Sequence, residues 1–293
     1  MQAVDRDWTN FRSVLFVLSA IVIFSLIFTS GRFAGELASS FQIMFLRYAG
    51  GFVTVLGLSA SQPQSFQSLQ SKHRLSQALR ALVGGLGGAA IIFGNTYMPL
   101  VDANAISQLS GVFMLALGII IFRERLRSIH IAGSLVCILG AAVVVAARGA
   151  FTTFDANYLV PASVVIIGAL LLALEGIFIK ILTLADRPLV TLAHANFFGM
   201  LLLLIPAVLT WKSTGPVNAV LLCLGPLAIL GQYCNIRGYT SASVSLLAPI
   251  GYASLIFAAV WGWVFFMELP TAGVILGGVL IAIGGTTLAL SRR

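Results

Sequence analysis

The sequence predicts an all-α polytopic membrane protein, with ten transmembrane helices arranged as two inverted five-helix repeats. Three observations carry that expectation. Only 9% of the residues are charged and 59% are hydrophobic, with a mean hydropathy of +1.03, whereas a soluble domain carries roughly 25% charged residues. A chain this poor in charge cannot cover a water-facing surface. Apolar runs long enough to cross a hydrocarbon core, about 20 residues, recur along nearly all of the 293 residues. Unpaired backbone groups are intolerable in lipid, so only helices or closed barrels span it, and the roughly 10-residue apolar/polar alternation of barrel strands is absent. Finally, the second half echoes the first at an offset of about 144 residues.

Breaks at Gly, Pro and charge clusters place the spans. The first covers 14–35, with Arg32 near its close, and the second covers 41–59 and holds Arg47 near its middle. The third, 78–97, ends on Asn95 and Tyr97; the fourth, 104–122, runs into "FRERL"; the fifth covers 129–147. The sixth, 158–180, contains "GALLLALEGIFIKIL" with Glu175 inside it, and the seventh, 188–210, carries His194 and Asn196. The eighth, 219–239, carries Gln232, Asn235 and Tyr239; the ninth, 244–265, contains Pro249; the tenth covers 271–290. The expected organisation is a cytoplasmic N-terminus over 1–13 and five-helix repeats over 14–147 and 158–290. Only the stretch 61–74 makes a longer loop, and no loop is long enough for a soluble domain.

With the N-terminus inside, thirteen of the seventeen Lys and Arg, among them Lys72, Arg74, Arg80, Lys180 and Arg187, fall on the inner side. By the positive-inside rule both termini are cytoplasmic and the protein sits in the cell (inner) membrane. The net charge of +8 is explained by inner loops facing anionic headgroups and needs no nucleic acid partner. Arg6 and Arg12 before an apolar run also resemble a signal peptide, but the repeat gives this segment a counterpart, so it reads as a retained span. Cys137, Cys223 and Cys234 all fall in spans and read as small packing residues, not disulfides or metal ligands.

Placing Glu124 on Glu268 brings Ser110 onto Ser254, Gly118 onto Gly262, Gly133 onto Gly277 and Gly140 onto Gly284. Small residues at four- and seven-residue spacing also let helices approach closely in lipid, so the Glu closing both preceding spans is the sharper match. Five spans per repeat is an odd number, so the second copy enters the membrane from the opposite side. Inverted repeats are characteristic of alternating access to a site near the bilayer midplane.

The stretches "FQIMFLRYAGG", "YMPLVDANAISQLSGVFMLALGIIIFRERL", "AGSLVCILGAAVVV" and "GYTSASVSLLAPIGYASLIFAAVWGWVFFMELPTAGVILGGVLIAIGG" together resemble the EamA-type drug/metabolite transporter superfamily over roughly 14–290. The resemblance implies ten helices in two inverted repeats, a central cavity, and movement of small organic metabolites or drugs. The family's fourth span often carries a proline after its "AI" motif; here Ser110 and Gly111 stand in that region, which argues against a kinked fourth helix.

Polar residues inside spans are costly and face the protein interior or a water-filled cavity. Arg47 reads either as a cavity cation for a carboxylate or phosphate or as a structural or gating residue, and the resemblance, which places an Arg here across many substrates, favours the second. Glu175 lies about 7 Å of helix rise from Lys180. It either snorkels and pairs with Lys180 or acts in coupling; a spacing of five is poor for a helical pair, and an enclosed carboxylate can exchange a proton near neutrality. Its counterpart in the first half is Gly31, so the carboxylate belongs to one half only. Asn104, Gln108 and Gly111 share one helix face; Ser245, Pro249 and Tyr252 make the matching stripe, with Gln108 and Tyr252 equivalent. Asn95, Tyr97, Gln232, Asn235 and Tyr239 complete the candidate binding set, with His194 as a member that equally suits interhelical hydrogen bonding. Trp8, Trp211, Trp261 and Trp263 read as interfacial anchors, and Arg123, Glu124, Arg125 and Glu268 as solvated span ends.

The leading reading is a secondary transporter of a small organic solute, such as an amino acid, vitamin, nucleoside-like or drug-like compound, with Glu175 as the candidate for proton coupling. No GxxxxGK[ST] loop is present to bind ATP, and no cofactor is expected. The expected partners are the solute and membrane lipids, in a monomer or homodimer. A lipid or lipid-linked headgroup flippase is the alternative. An integral membrane enzyme fits less well, since His73, His130 and His194 are scattered and no HExxH occurs.

Overall fold

The computed structural model describes residues 2–34, 37–60, 70–97, 100–123, 128–147, 159–213, 215–267 and 269–290. Glu124, Arg125, Arg127, Arg148, Glu268, Arg292 and Arg293 lie outside them, as do the side chains of Arg6, Trp8 and Arg32. The described chain is helical without strands: α1 (Gln2–Ala34), α2 (Ser40–Ala60), α3 (Arg74–Tyr97), α4 (Leu100–Ser107), α5 (Leu109–Phe122), α6 (Ser128–Ala147), α7 (Leu159–Leu182), α8 (Pro188–Leu209), α9 (Val217–Ser241), α10 (Val244–Leu247), a 3₁₀ turn (Ala248–Tyr252), α11 (Ala253–Phe266) and α12 (Ala272–Ala289). Among the described residues nine stretches are long and apolar enough to cross a membrane, and the shorter Ala272–Leu288 adds a tenth apolar helix. The first begins earlier than expected, since residues 2–13 continue α1 as helix. Outward-facing Ile120, Ile205, Leu209 and Val220 are exposed, a surface suited to lipid and not to water.

The fourth and ninth spans are both broken. The ninth breaks where Pro249, lacking an N–H, enters the 3₁₀ turn. The fourth breaks without proline, contrary to the expectation of an unkinked helix. Ser107 Oγ donates to the Asn104 carbonyl at 2.8 Å, and that same carbonyl shares the Gln108 N–H with Ala105 O, both at 3.3 Å. A hydroxyl competing for a helix carbonyl and a divided backbone bond weaken the turn at that point. Beyond the breaks, α5 and α11 are each 14 residues long, start 144 positions apart, and end on left-handed residues, Arg123 (φ 51°) and Met267 (φ 56°).

The packing shows the same correspondence. α1 packs on α9 and α11 as α7 packs on α3 and α5, while α2 meets α8 and α6 meets α12. At the α6–α12 crossing, Gly140 lies against the Gly277 backbone and Gly133 against that of Gly284. The four positions matched in the sequence thus touch in exchanged order. Cys137 Sγ points to Ile281 O at 3.7 Å on the same line. Any side chain at these glycines would push apart two backbones, so glycine sets the separation of the helices.

Candidate functional site

A cavity of about 250 Å³ opens where the two broken spans meet α1, α3, α7 and α9. Among the residues bounding it are Ser25, Asn95, Asn104, Gln108, Asn235 and Ser254 on its polar side, with no charged side chain in the lining among the described residues. Phe24, Phe28 and Phe266 supply aromatic surface. Gln108 Nε2 donates to Ser254 Oγ at 3.1 Å, and Trp261 Nε1 donates to Ser25 Oγ at 2.8 Å. Asn95 Oδ1 is enclosed without a donor among the described residues. Tyr239 and Met114 also line the cavity, and the Tyr239 hydroxyl donates to Met114 Sδ at 3.4 Å. Amides and hydroxyls in an apolar surround recognise a solute by hydrogen bonding and not by ion pairing.

Asn95, Asn104, Gln108, Asn235 and Tyr239, from the expected binding set, are therefore brought together. The others stand elsewhere. Tyr252 is buried against Gly111, whose missing side chain gives its ring room, so the expected face-to-face pair with Gln108 is replaced by Gln108 and Ser254. Gln232 accepts from Asn196 Nδ2 at 3.3 Å between α9 and α8. His194 Nδ1 is 2.9 Å from its own helix carbonyl at Val190. Tyr97 is 65% exposed and stacks on Phe93. Trp261, read from sequence as an interfacial anchor, instead supports the cavity wall through Ser25. Ser25, Ser107 and Ser254 were missed because single serines in apolar helices usually satisfy themselves on a backbone carbonyl, as Ser25 Oγ also does at Val22 O, 2.8 Å away.

Arg47, which is buried, and Glu175, which is partly exposed, belong to a second cluster among α2, α3, α7 and α8. Arg80, which the sequence suggested as a flanking charge, is fully buried here. Its Nε stands 4.0 Å from Glu175 Oε1, and its Nη1 donates to Thr191 O at 3.4 Å. The Glu175 carboxylate rests on Gly84; Arg47 lies over the Tyr48 ring with Cζ 4.0 Å from the centroid. Lys180 turns away to donate to Tyr239 O at 2.7 Å and Ala242 O at 2.6 Å, where a cation also suits the C-terminus of α9. The available signal for Arg80 was periodicity: Gln77, Arg80, Gly84 and Gly87 share one helix face, and glycines mark the side that packs closely.

Polar clasps join the two halves of the chain at both ends of the bundle. At one, Asp186 accepts from Ser71 Oγ at 2.6 Å and Gln77 Nε2 at 2.9 Å. At the other, Gln42 Nε2 donates to Asn218 Oδ1 at 2.8 Å and to Lys212 O at 3.0 Å. Asp186 and Gln42 are 144 positions apart.

A multi-pass bundle of apolar helices enclosing a cavity lined by amides and hydroxyls between broken spans is the architecture of an integral membrane transporter. The model of the EamA-like transporter family matches residues 11–146 and again 160–290, and the chain belongs to that family. It is 26% identical over 285 residues, 95% of each chain, to the pseudopaline exporter of Pseudomonas aeruginosa. It is 23% identical to the riboflavin transporter of Brucella anthropi, over 86% of this chain and 87% of that one. It is also 30% identical to a probable terminal-alkyne amino-acid exporter of Streptantibioticus cattleyicolor, over 73% and 72%. A solved crystal structure superposes with a TM-score of 0.78 at 18% identity, covering 96% of this chain and 98% of that one, which shows the shared fold. The relatives are transporters, and this protein is a transporter and not an enzyme.

Proposed function

We propose that the protein carries a small neutral or zwitterionic organic solute by alternating access, with the cavity between the two broken spans as its central site. The carrying observation is the cavity lining itself, in which the amides of Asn95, Asn104, Gln108 and Asn235 stand with the hydroxyls of Ser25 and Ser254. Such groups hydrogen-bond a solute N–H, O–H or carbonyl. A lining without a charged side chain among the described residues favours solutes without strong net charge, and the aromatic surface of Phe24, Phe28 and Phe266 suits a flat or ring-bearing portion.

The reading places the two halves in inverted topology, with both termini on the cytoplasmic side of the inner membrane, where most of the basic residues then lie. The matched breaks, the exchanged glycines of α6 and α12, and one cross-half clasp at each end support it. Relatives named for metabolites support a metabolite cargo and give none to lipid flipping. The test is a thermal-shift screen of the purified protein against amino acids, riboflavin, nucleosides and S-adenosylmethionine, followed by counterflow of any hit in proteoliposomes. Binding that Asn95→Leu and Gln108→Leu leave unchanged would overturn the assignment of the cavity.

Proton coupling through Glu175 is the companion proposal, supported by a carboxylate set among helices of both halves and partly exposed at 22%. Glu175→Gln should transport without accelerating in a pH gradient. If the variant still follows the gradient, coupling lies elsewhere.

A further inference from the structure

Gly251 stands in the 3₁₀ turn that breaks the ninth span and bounds the solute cavity. The residues three and four positions away on either side, Leu247, Ala248, Ser254 and Leu255, bound the cavity as well. Gly251 therefore lies inside the stripe that this span turns toward the cavity. A methyl group built on Gly251 meets no atom within 4 Å. The direction in which a side chain would project is empty, and the space that Gly251 borders there is the cavity.

Glycine has two ordinary structural uses, a left-handed backbone and the close approach of another chain segment. Neither applies at Gly251. Among the described glycines only Gly215 has a positive φ, and no neighbour crowds position 251. Gly111 in the fourth span is the contrast: it also bounds the cavity, but a methyl group there would stand 3.4 Å from the Tyr252 ring, so protein fills that room. The counterpart of Gly251 under the 144-residue offset is Ser107, which carries a side chain. What the missing side chain of Gly251 leaves free is room inside the cavity.

We propose that Gly251 is a specificity-determining residue, whose lack of a side chain admits an uncharged bulky portion of the solute, a ring or a branched chain, beside the Gln108–Ser254 pair. This rests on the cavity being the solute site and adds which solutes it admits. The apolar side chains of Leu247, Ala248 and Leu255 flank the free space and suit an uncharged group, while Gln108 and Ser254 meet the solute's hydrogen-bonding atoms. A side chain at position 251 would occupy the same volume.

Two measurements on the purified full chain test this. The first needs no solute: Gly251→Cys, treated in detergent with the hydrophilic reagent sulfonatoethyl methanethiosulfonate, should label above the wild-type level set by Cys137, Cys223 and Cys234. Ser254→Cys, on the same stripe, is the control. In the second, Gly251→Ala and Gly251→Leu should weaken binding of each solute that stabilises the wild type, in order of side-chain size, by about tenfold or more with leucine. Without solute, Gly251→Ala should unfold at or above the wild-type midpoint, which separates lost room from lost fold. Should Gly251→Leu fail to fold, the alanine variant and the labelling decide. A thiol at position 251 that stays unlabelled while Ser254→Cys reacts would overturn the proposal. So would unchanged affinity in Gly251→Leu where Asn95→Leu and Gln108→Leu lose it. If all three keep the wild-type affinity, or if neither thiol reacts, the solute-site reading itself falls and takes the proposal with it.

Discussion

Gln108 Nε2 donates to Ser254 Oγ at 3.1 Å, joining the break of the fourth span to the break of the ninth. Both residues bound the cavity, so a solute meets a side-chain pair that joins the two discontinuities. A net hydrogen bond of this type contributes about 1 kcal/mol, small enough to be exchanged for one to a solute.

Ser254→Ala should therefore leave folding nearly intact, with a loss of about 1 kcal/mol or less, while changing solute affinity or rate. Thermal unfolding compared with counterflow checks the separation of the two effects. A large loss of stability would show that the bond holds the fold and not the site.

Asn95→Leu is expected to be neutral or stabilising by roughly 1 kcal/mol, since it removes an enclosed acceptor that has no donor among the described residues. The same variant should bind solute at least about tenfold more weakly, the effect of taking an amide out of the cavity lining. Midpoint and affinity moving in opposite directions would be the signature.

Gly140→Ala should destabilise by about 1–3 kcal/mol, because the added methyl meets the backbone at Gly277 and Ile281, which cannot yield as a side chain would. Gly57 in α2 has nothing near the corresponding position, and Gly57→Ala should instead stabilise by about 0.5–1 kcal/mol. Denaturant unfolding of the two variants side by side tests whether close approach, and not glycine content, holds α6 to α12.

Glu175→Leu should cost about 3–5 kcal/mol by stranding two buried cations. Adding Arg80→Leu should recover part of that loss, because one stranded cation is removed with it. A double-mutant cycle read by unfolding gives the coupling; strict additivity would mean the two residues do not act on one another.

The ten spans were legible because lipid leaves one signal, a run of about 20 apolar residues, and the chain repeats it with little interruption. Asn104 and Gln108, or Asn235 and Tyr239, were legible as cavity residues because they stand four apart on one helix face. Gln232 shows the limit: three residues before Asn235, it turns to the flank of α9 that meets Asn196 of α8. The break in the fourth span left no proline to read, since it arises where the Ser107 hydroxyl and the Gln108 N–H compete for the Asn104 carbonyl. Arg80 read as an inner-side charge at the start of the third span because periodicity alone does not say how deeply the next helix covers a residue, and here it is fully buried against α7 and α8. Its pairing with Glu175 joins residues 95 positions apart, which no local pattern encodes.

The exchanged contacts of Gly133, Gly140, Gly277 and Gly284 bear on how the chain can be assembled. Each half offers at α6 or α12 a surface complementary to the other's, and both polar clasps take one member from each half. A gene cut between the codons for Ala147 and Leu159 should thus yield two polypeptides that find each other in the bilayer when coexpressed, and co-purification on a tag carried by one fragment would reveal the reunited pair.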